Sequence, residues 1–376
     1  PLTGRRSRSA AAAPAGPYST GARVESPATE VRHLAIGDPE STDFAARHLL
    51  DPKDGWFRRT ERGVNKFLSR RVFSRVPLMR RPYAAMLDRS LTVAEGTIPL
   101  AGMGGDSFRV LVVSDIHAGP FVSPEVLQRT FDRLRSTEPD LILIPGDFAT
   151  VCVEEVEEVV TTLRTLQAPL GVFGVLGNHD YYYGSISGVR EQVAQLCRKY
   201  PQLHYLTLQE QPILCGQIAI VGHDGWADAR AGDYERSYVY MNDNRLIEEL
   251  VGLNKQQRWA VLKVLGDQAA EHIRRVLPLA LARSRRVLLL THVPPLREAC
   301  WHQGELSNDE WAPHFTCLAV GTAILSVMQR FPDHKLTVLC GHTHGRGVCQ
   351  PRPNVRILTG GADYGNPAIA CHLLLQ

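Results

Sequence analysis

Five short blocks of this 376-residue chain carry groups able to hold a cation or move a proton. They are Asp115-Ile116-His117, Gly146-Asp147, Gly177-Asn178-His179-Asp180, Thr291-His292 and Gly341-His342-Thr343-His344-Gly345. The third is the densest: Asn178 offers an amide oxygen, His179 an imidazole that can carry a proton, and Asp180 a carboxylate able to orient that imidazole. Read alone, any one of them is an ordinary loop in which glycine permits a tight turn. Their succession carries more, because nearly all follow a short apolar run.

Those runs are the elements that must position the blocks. Phe108–Val113, Leu141–Ile144 and Val172–Leu176 read as buried strands, each ending at one block. Between them lie two helical stretches, one capped by Ser123 with Glu125 in its first turn and running to about Thr137, the other Val153–Leu166. Strand, helix, strand, helix, strand at this spacing predicts a βαβαβ unit with parallel pairing and polar residues at the carboxyl ends of the strands. A helix over Ile186–Lys199 follows, then short strands at Leu206–Leu208, Ile213–Leu214 and Ile218–Val221. Residues from about 225 to 285 are helical and charged and read as an insertion covering the edge of the site. Val287–Leu290 and Leu336–Leu339 are strands that end at the two histidine blocks, and Val355–Leu358 and Ala368–Leu375 complete a second sheet.

Taken together, the five blocks resemble the calcineurin-like metallophosphoesterases, over roughly Val110 to Leu375. The resemblance implies an α/β fold, a four-layer αββα sandwich, here with the helical insertion over the active site. It also implies two divalent ions, one held by Asp115, His117, Asp147 and His344, the other by Asp147, Asn178, His292 and His342, with Asp147 shared. Every one of those positions holds the residue type the family uses. Such a set of imidazoles, carboxylates and one amide oxygen, without thiolates, suits Mn, Fe or Zn better than Ca. The implied reaction is in-line attack of a metal-bridging hydroxide on a phosphomonoester or phosphodiester. His179 is then the general acid at the leaving oxygen, and Asp180 holds its tautomer. Non-catalytic scaffolds of this superfamily are marked by lost ligands or a lost acid; none is lost here, which favours an enzyme over a scaffold.

Substrate choice is expected from residues around this centre. Tyr181, Trp226, Arg230 and Trp301 are the candidates, able to bind a base, a sugar or a lipid head group, or equally to pack as a lid. Asp115–Gly119 and Ala168–Asp180 look like the bacterial branch that includes membrane-associated lipid-head-group phosphoesterases. Arg346-Gly347-Val348 departs from the Gly-Gln usual there. His204 and His314 read as solvent-facing.

Bulk composition narrows the classes. With 44% hydrophobic and 22% charged residues the chain can bury a sizeable core, and a net charge of +3 gives no field for tracking a polyanion, so nucleic acid is a less favoured partner. Eight cysteines without a Cys-x-x-Cys pair suit reduced thiols in a cytoplasmic protein. Residues 1–45, rich in Ala, Pro, Ser and Gly, read as disordered, and a catalytic domain is expected over 88–376. Between them, 46–87 is basic and partly amphipathic. Within it, residues 56–81 read either as a contact with the inner membrane surface or as a helix packed on the domain. Ser69–Phe73 resembles a twin-arginine signal but lacks the apolar region that must follow one. Starting at Pro1, the numbering is expected to begin inside a longer frame.

Overall fold

A computed structural model of the chain describes residues 95–99, 107–118, 127–128, 131–132, 138–149, 154–164, 168–302 and 304–361. Two sheets form its centre. The first has the order β1-β2-β3-β4-β5, built from Glu95–Pro99, Ser107–Val112, Leu141–Pro145, Val172–Val175 and Leu203–Tyr205. β1 runs antiparallel at the edge, and the other four strands are parallel, with Val110 opposite Leu141 and Leu143 opposite Phe173. The second sheet has the order β12-β13-β11-β8-β7-β6, from Gly347–Arg352, Val355–Thr359, Lys335–Cys340, Arg286–Leu290, Ile218–Gly222 and Ile213–Cys215. Its four inner strands are parallel, and β12 and β6 are antiparallel edges. A two-stranded hairpin, β9 (Trp301–His302) with β10 (Glu305–Leu306), stands apart from both.

Strand periodicity makes the layers. Successive side chains point to opposite faces, so Val110 and Val112 of β2 turn one way while Leu111 and Val113 turn the other. The first pair joins Leu141, Leu143, Phe173 and Val175 against Ile218, Ile220, Leu288 and Leu290, forming the core between the sheets. The second pair packs outward with α1 (Glu154–Leu163) and α2 (Ile186–Lys199). On the far side, Val287, Leu289 and Val338 pack against α4 (Lys255–Arg283) and α5 (Leu318–Met328). The result is the expected αββα order, with helices covering both sheets so that each parallel strand is buried on both faces. α2 starts at Ser185, whose hydroxyl accepts from Gly188 N, and α4 at a capping box of Asn254 and Gln257.

Several expectations need correction. Leu206–Leu208 is a 3-10 turn, and the edge strand is Leu203–Tyr205 instead. Thr207 leaves the ladder because its hydroxyl donates to the buried Asp224 carboxylate. The helical stretch near 225–285 divides into two parts with different jobs. α4 does not cover the site: Ala269, Ile273, Val276 and Leu277 make it the helix that crosses from β7 to β8 over the second sheet. Only the segment before it, with the short α3 (Asp243–Leu246), reaches the strand ends. The edge strands β1 and β12 were not anticipated. Of the helix expected to run to Thr137, residues 127–128 and 131–132 are helical. Residues 1–94, with the basic stretch 56–81, and the strand expected at Ala368–Leu375 lie outside the described residues.

Candidate metal centre

All five blocks leave the carboxyl ends of parallel strands, β2, β3 and β4 from one sheet and β8 and β11 from the other. The turns are sharp. Asp115, His117, Asp147, His342 and His344 all have positive φ, between 48° and 71°, a region that costs a non-glycine residue about 1–3 kcal/mol. Gly177 is required for proximity, since a Cβ there would run into the Asp147 carboxylate. Gly146, at φ 98°, needs both its backbone freedom and the space now filled by the His292 ring.

The side chains meet in two groups. Ligand atoms of Asp115, His117, Asp147 and His344 all lie within 4.8 Å of one another. His117 Nε2 is 3.2 Å from His344 Nε2 and 3.6 Å from Asp147 Oδ2. In the second group, His292 Nε2 and His342 Nδ1 are each 3.0 Å from Asn178 Oδ1 and 3.2 Å from one another. Asp147 Oδ2 lies 3.4 Å from His292 Nε2, so a single carboxylate oxygen faces both groups.

The second group reveals what these atoms need. His292 Nδ1 lies 3.0 Å from the Pro145 carbonyl and His342 Nε2 lies 3.0 Å from the His314 carbonyl. A carbonyl only accepts, so each of these nitrogens carries the proton. The opposite nitrogens, His292 Nε2 and His342 Nδ1, then present lone pairs to an amide oxygen that is also an acceptor. With both imidazoles neutral, three buried acceptors face one another with no proton to share, a set that fits a cation. Electrostatics agrees: burial alone would lower His292, but the Asp147 carboxylate beside it raises it to about 9. Burial and the neighbouring His292 drop His342 to about 3. The pocket demands one positive charge, which a proton on His292 or a metal ion can supply. Burial opposes ionisation of Asp147, yet the surrounding imidazoles hold it well below the usual carboxylate range.

Neighbouring groups fix the ligands' orientations. Asp243 Oδ1 accepts from Asn178 Nδ2 at 2.8 Å and from the Tyr182 hydroxyl at 2.9 Å, which turns the Asn178 oxygen inward. Asp115 Oδ1 accepts from His342 N, and its other oxygen from the Ser114 hydroxyl. His179 sits at the edge of both groups: its backbone N–H donates to Asp147 Oδ1 at 3.0 Å, and its ring stands edge-on to His117 at 4.6 Å between centroids.

Asp180 does not orient His179. Its two oxygens accept from the backbone amides of Ala149 at 2.7 Å, Gly177 at 2.8 Å and Phe148 at 3.3 Å, so this fully buried carboxylate braces the turn beneath the site. Burial and the nearby Asp147 charge push its pKa well up, and the amide N–H groups pull it partly back.

The substrate candidates separate. Tyr181 is fully buried, its hydroxyl donating to Asp224 at 2.6 Å beside Arg190 and Tyr205. Trp226 is buried against it with ring centroids 5.0 Å apart. Both belong to the core cluster packed around α2. Arg230 is committed to Asp228 and, through two bonds, to Asp267. Trp301 alone stays by the centre, on the β9–β10 hairpin, its ring laid against Gly347 and the next residue, His302, bonded to the Thr343 carbonyl at 3.0 Å. Reasoning from sequence also missed three residues. Asp243 lies 65 positions from the asparagine it orients, and no local spacing points to it. Trp311 stacks on both His302 and Phe315, Phe315 is tilted against His302, and Phe315 stands edge-on to His342 at 5.3 Å, an aromatic wall beside the second group. His314 is buried rather than solvent-facing, its ring 3.0 Å from Ser237 Oγ and packed against Tyr234, while its carbonyl anchors His342. His204 is half-buried and stacks on Phe173.

The fold and the converging ligands define a metal-binding αββα sandwich. The family model of calcineurin-like phosphoesterases matches residues 108–346, and the chain belongs to that family. An uncharacterized metallophosphoesterase of Campylobacter jejuni is 26% identical over 163 residues, 42% of this chain and 41% of that protein. A UDP-2,3-diacylglucosamine pyrophosphatase of Chlamydia trachomatis is 38% identical over 76 residues, 19% of this chain and 22% of its own. A transmembrane protein with a metallophosphoesterase domain from Danio rerio is 32% identical over 83 residues, 22% of this chain and 19% of its own. The chain thus spans about a fifth to two fifths of the length of the curated relatives it matches. Among solved structures, a dimetal phosphatase from Danio rerio aligns over 68% of this chain and 87% of its own, with 17% identity and a TM-score of 0.43. Among the described residues no helix is long and apolar enough to cross a membrane, and the described cysteines are all free thiols.

Proposed function

We propose that this protein is a phosphoric ester hydrolase with two divalent ions, of Mn, Fe or Zn type, acting on a phosphodiester or phosphomonoester. The observation that carries the reading is the meeting of lone pairs from His292, His342 and Asn178 beside a carboxylate oxygen that also faces His117. Asp115, His117, Asp147 and His344 would hold one ion, and Asp147, Asn178, His292 and His342 the other. Such ions would supply positive charge to the phosphoryl oxygens and acidify a water. The chain's own part in the reaction is positional and acidic. Water adds to phosphorus in line with the leaving oxygen, the P–O bond breaks, and His179 delivers a proton to the departing oxygen. Asp180 contributes by holding the Gly177–His179 turn, and the wall of His302, Trp311 and Phe315 borders the space for the ester's organic group.

The 38% identity of a short stretch to the Chlamydia trachomatis pyrophosphatase favours a second reading within the same class. In it the ester belongs to a lipid head group met at a membrane surface, with residues 56–81 supplying the peripheral contact and the protein otherwise cytoplasmic. The deciding experiment is hydrolysis of bis-p-nitrophenyl phosphate and p-nitrophenyl phosphate by metal-free protein, with Mn²⁺, Zn²⁺ or Fe²⁺ added back. Metal-dependent turnover is expected. Two ions bound per chain with no turnover of either ester would favour a non-catalytic scaffold. Liposome sedimentation with and without residues 1–82 tests the membrane contact, and binding that survives truncation removes it.

A further inference from the structure

The two ligand groups differ in what braces them. Asn178, His292 and His342 serve the second group only, and each is tied to the segment between β7 and α4. Asp243 accepts from Asn178 Nδ2 at 2.8 Å, leaving the amide oxygen to face the two imidazoles. His292 N donates to the Asp224 carbonyl at 2.8 Å. The third tie has two steps. His342 Nε2 donates to the His314 carbonyl at 3.0 Å, and the His314 ring lies 3.0 Å from Ser237 Oγ, which itself donates to the Glu310 carbonyl at 2.8 Å. With its only proton spent on Glu310, Ser237 accepts from His314. Lys255 then locks this stretch by donating to the carbonyls of Glu235 and Ser237, both at 2.7 Å. Among the described residues, no hydrogen bond joins Asp115, His117 or His344 to residues 224–250.

We infer that the 224–250 segment sets the affinity of the second metal position and leaves the first untouched. Asp243 and Ser237 are positioning residues acting through Asn178 and His314. This rests on the dinuclear reading above and adds an asymmetry to it: the first ion draws on ligands at the strand ends, the second also on the segment between β7 and α4. An amide without its acceptor can turn its NH₂ toward the ion, where it repels instead of coordinating. Groups that orient metal ligands are commonly worth about 10–100-fold in affinity.

The test uses the full chain titrated with Mn²⁺, read by calorimetry and by the EPR signature of a coupled ion pair. Wild type is expected to bind two ions. Asp243→Ala should keep one at wild-type affinity, weaken the other about 10–100-fold, and replace the coupled signal by that of a single ion. Asp243→Asn should restore both, because its carbonyl still accepts from Asn178. Ser237→Ala should act in the same direction, and Glu191→Gln, whose exposed carboxylate pairs with Arg198 on α2, should change nothing. Adding His344→Ala to Asp243→Ala should remove the remaining ion, whereas adding His292→Ala should not. Two ions at wild-type affinities in both Asp243→Ala and Ser237→Ala, or equal weakening of the two ions, overturns the inference. A wild-type protein that binds no ion overturns the metal reading itself, and this inference with it.

Discussion

His292 and His342 face each other nitrogen to nitrogen at 3.2 Å, and the far nitrogen of each ring donates a hydrogen bond to a backbone carbonyl. Two lone pairs in a buried pocket repel unless a positive charge stands between them. Metal removal should therefore cost stability as well as activity. With Mn²⁺ or Zn²⁺ at about 100 times its dissociation constant, the gain is roughly 2.7 kcal/mol, a rise in Tm of several degrees. Thermal melts of chelated and reloaded protein check this; identical curves would count against a metal in this pocket.

His179 and Asp180 are neighbours with separable roles. His179→Ala should retain both ions and lower kcat on bis-p-nitrophenyl phosphate by about 10²–10⁴-fold. Loss of metal in this variant, measured by elemental analysis, would move His179 from acid to ligand.

Asp180→Ala should instead be a stability mutant. It strands the amides of Gly177, Phe148 and Ala149 in the interior, and each buried donor left without a partner costs about 1–3 kcal/mol. Urea denaturation should show the midpoint falling by far more than in His179→Ala. An unchanged midpoint would contradict the bracing role.

Trp226→Ala should lower stability by about 3–5 kcal/mol, as for a core aromatic, with KM little changed in whatever fraction remains folded. A selective rise in KM at constant stability would return Trp226 to the list of substrate contacts.

Glu249 provides a pH signal of its own. It is buried, it accepts from Ile186 N at the start of α2 at 2.7 Å, and burial raises its pKa from 4.5 to about 6. Between those values the folded protein holds more protons than the unfolded chain, so this group's contribution favours folding at low pH and fades as pH rises. The difference across the window is about 2 kcal/mol. Glu249→Gln, which still accepts from Ile186 N, should flatten the stability–pH profile between about pH 4.5 and 6. Parallel profiles for the two proteins would show that Glu249 does not titrate there.

The parallel strands and the ligand turns could be read from the chain because a buried parallel strand must be apolar along its length, and because Asp115, Asp147 and His292 follow such runs within a few residues. Asp243 and His314 could not be read in this way. Their partners are 65 and 28 positions away, and one of them acts through a backbone carbonyl that any residue possesses. Tyr181 and Trp226 misled for a related reason: an aromatic residue beside a ligand block has the same composition whether it points into the site or into the core. The long helix α4 read as an insertion because its charged face is conspicuous in sequence, while the small Ala269, Ala270 and Ala280 that seat it on the second sheet are not.

Each ligand group draws side chains from both sheets, so an ion there joins segments far apart in the chain; His117 and His344 are 227 positions apart. In polymer terms such an ion would be a cross-link. By the relation used for disulfides, closing a loop of that length removes chain entropy worth about 5 kcal/mol at 25 °C. The described cysteines are free thiols, and no covalent bridge does this job between them. Under the dinuclear reading proposed above, its two halves would be joined by a staple that a chelator can withdraw and a suitable ion can replace, without oxidation or reduction.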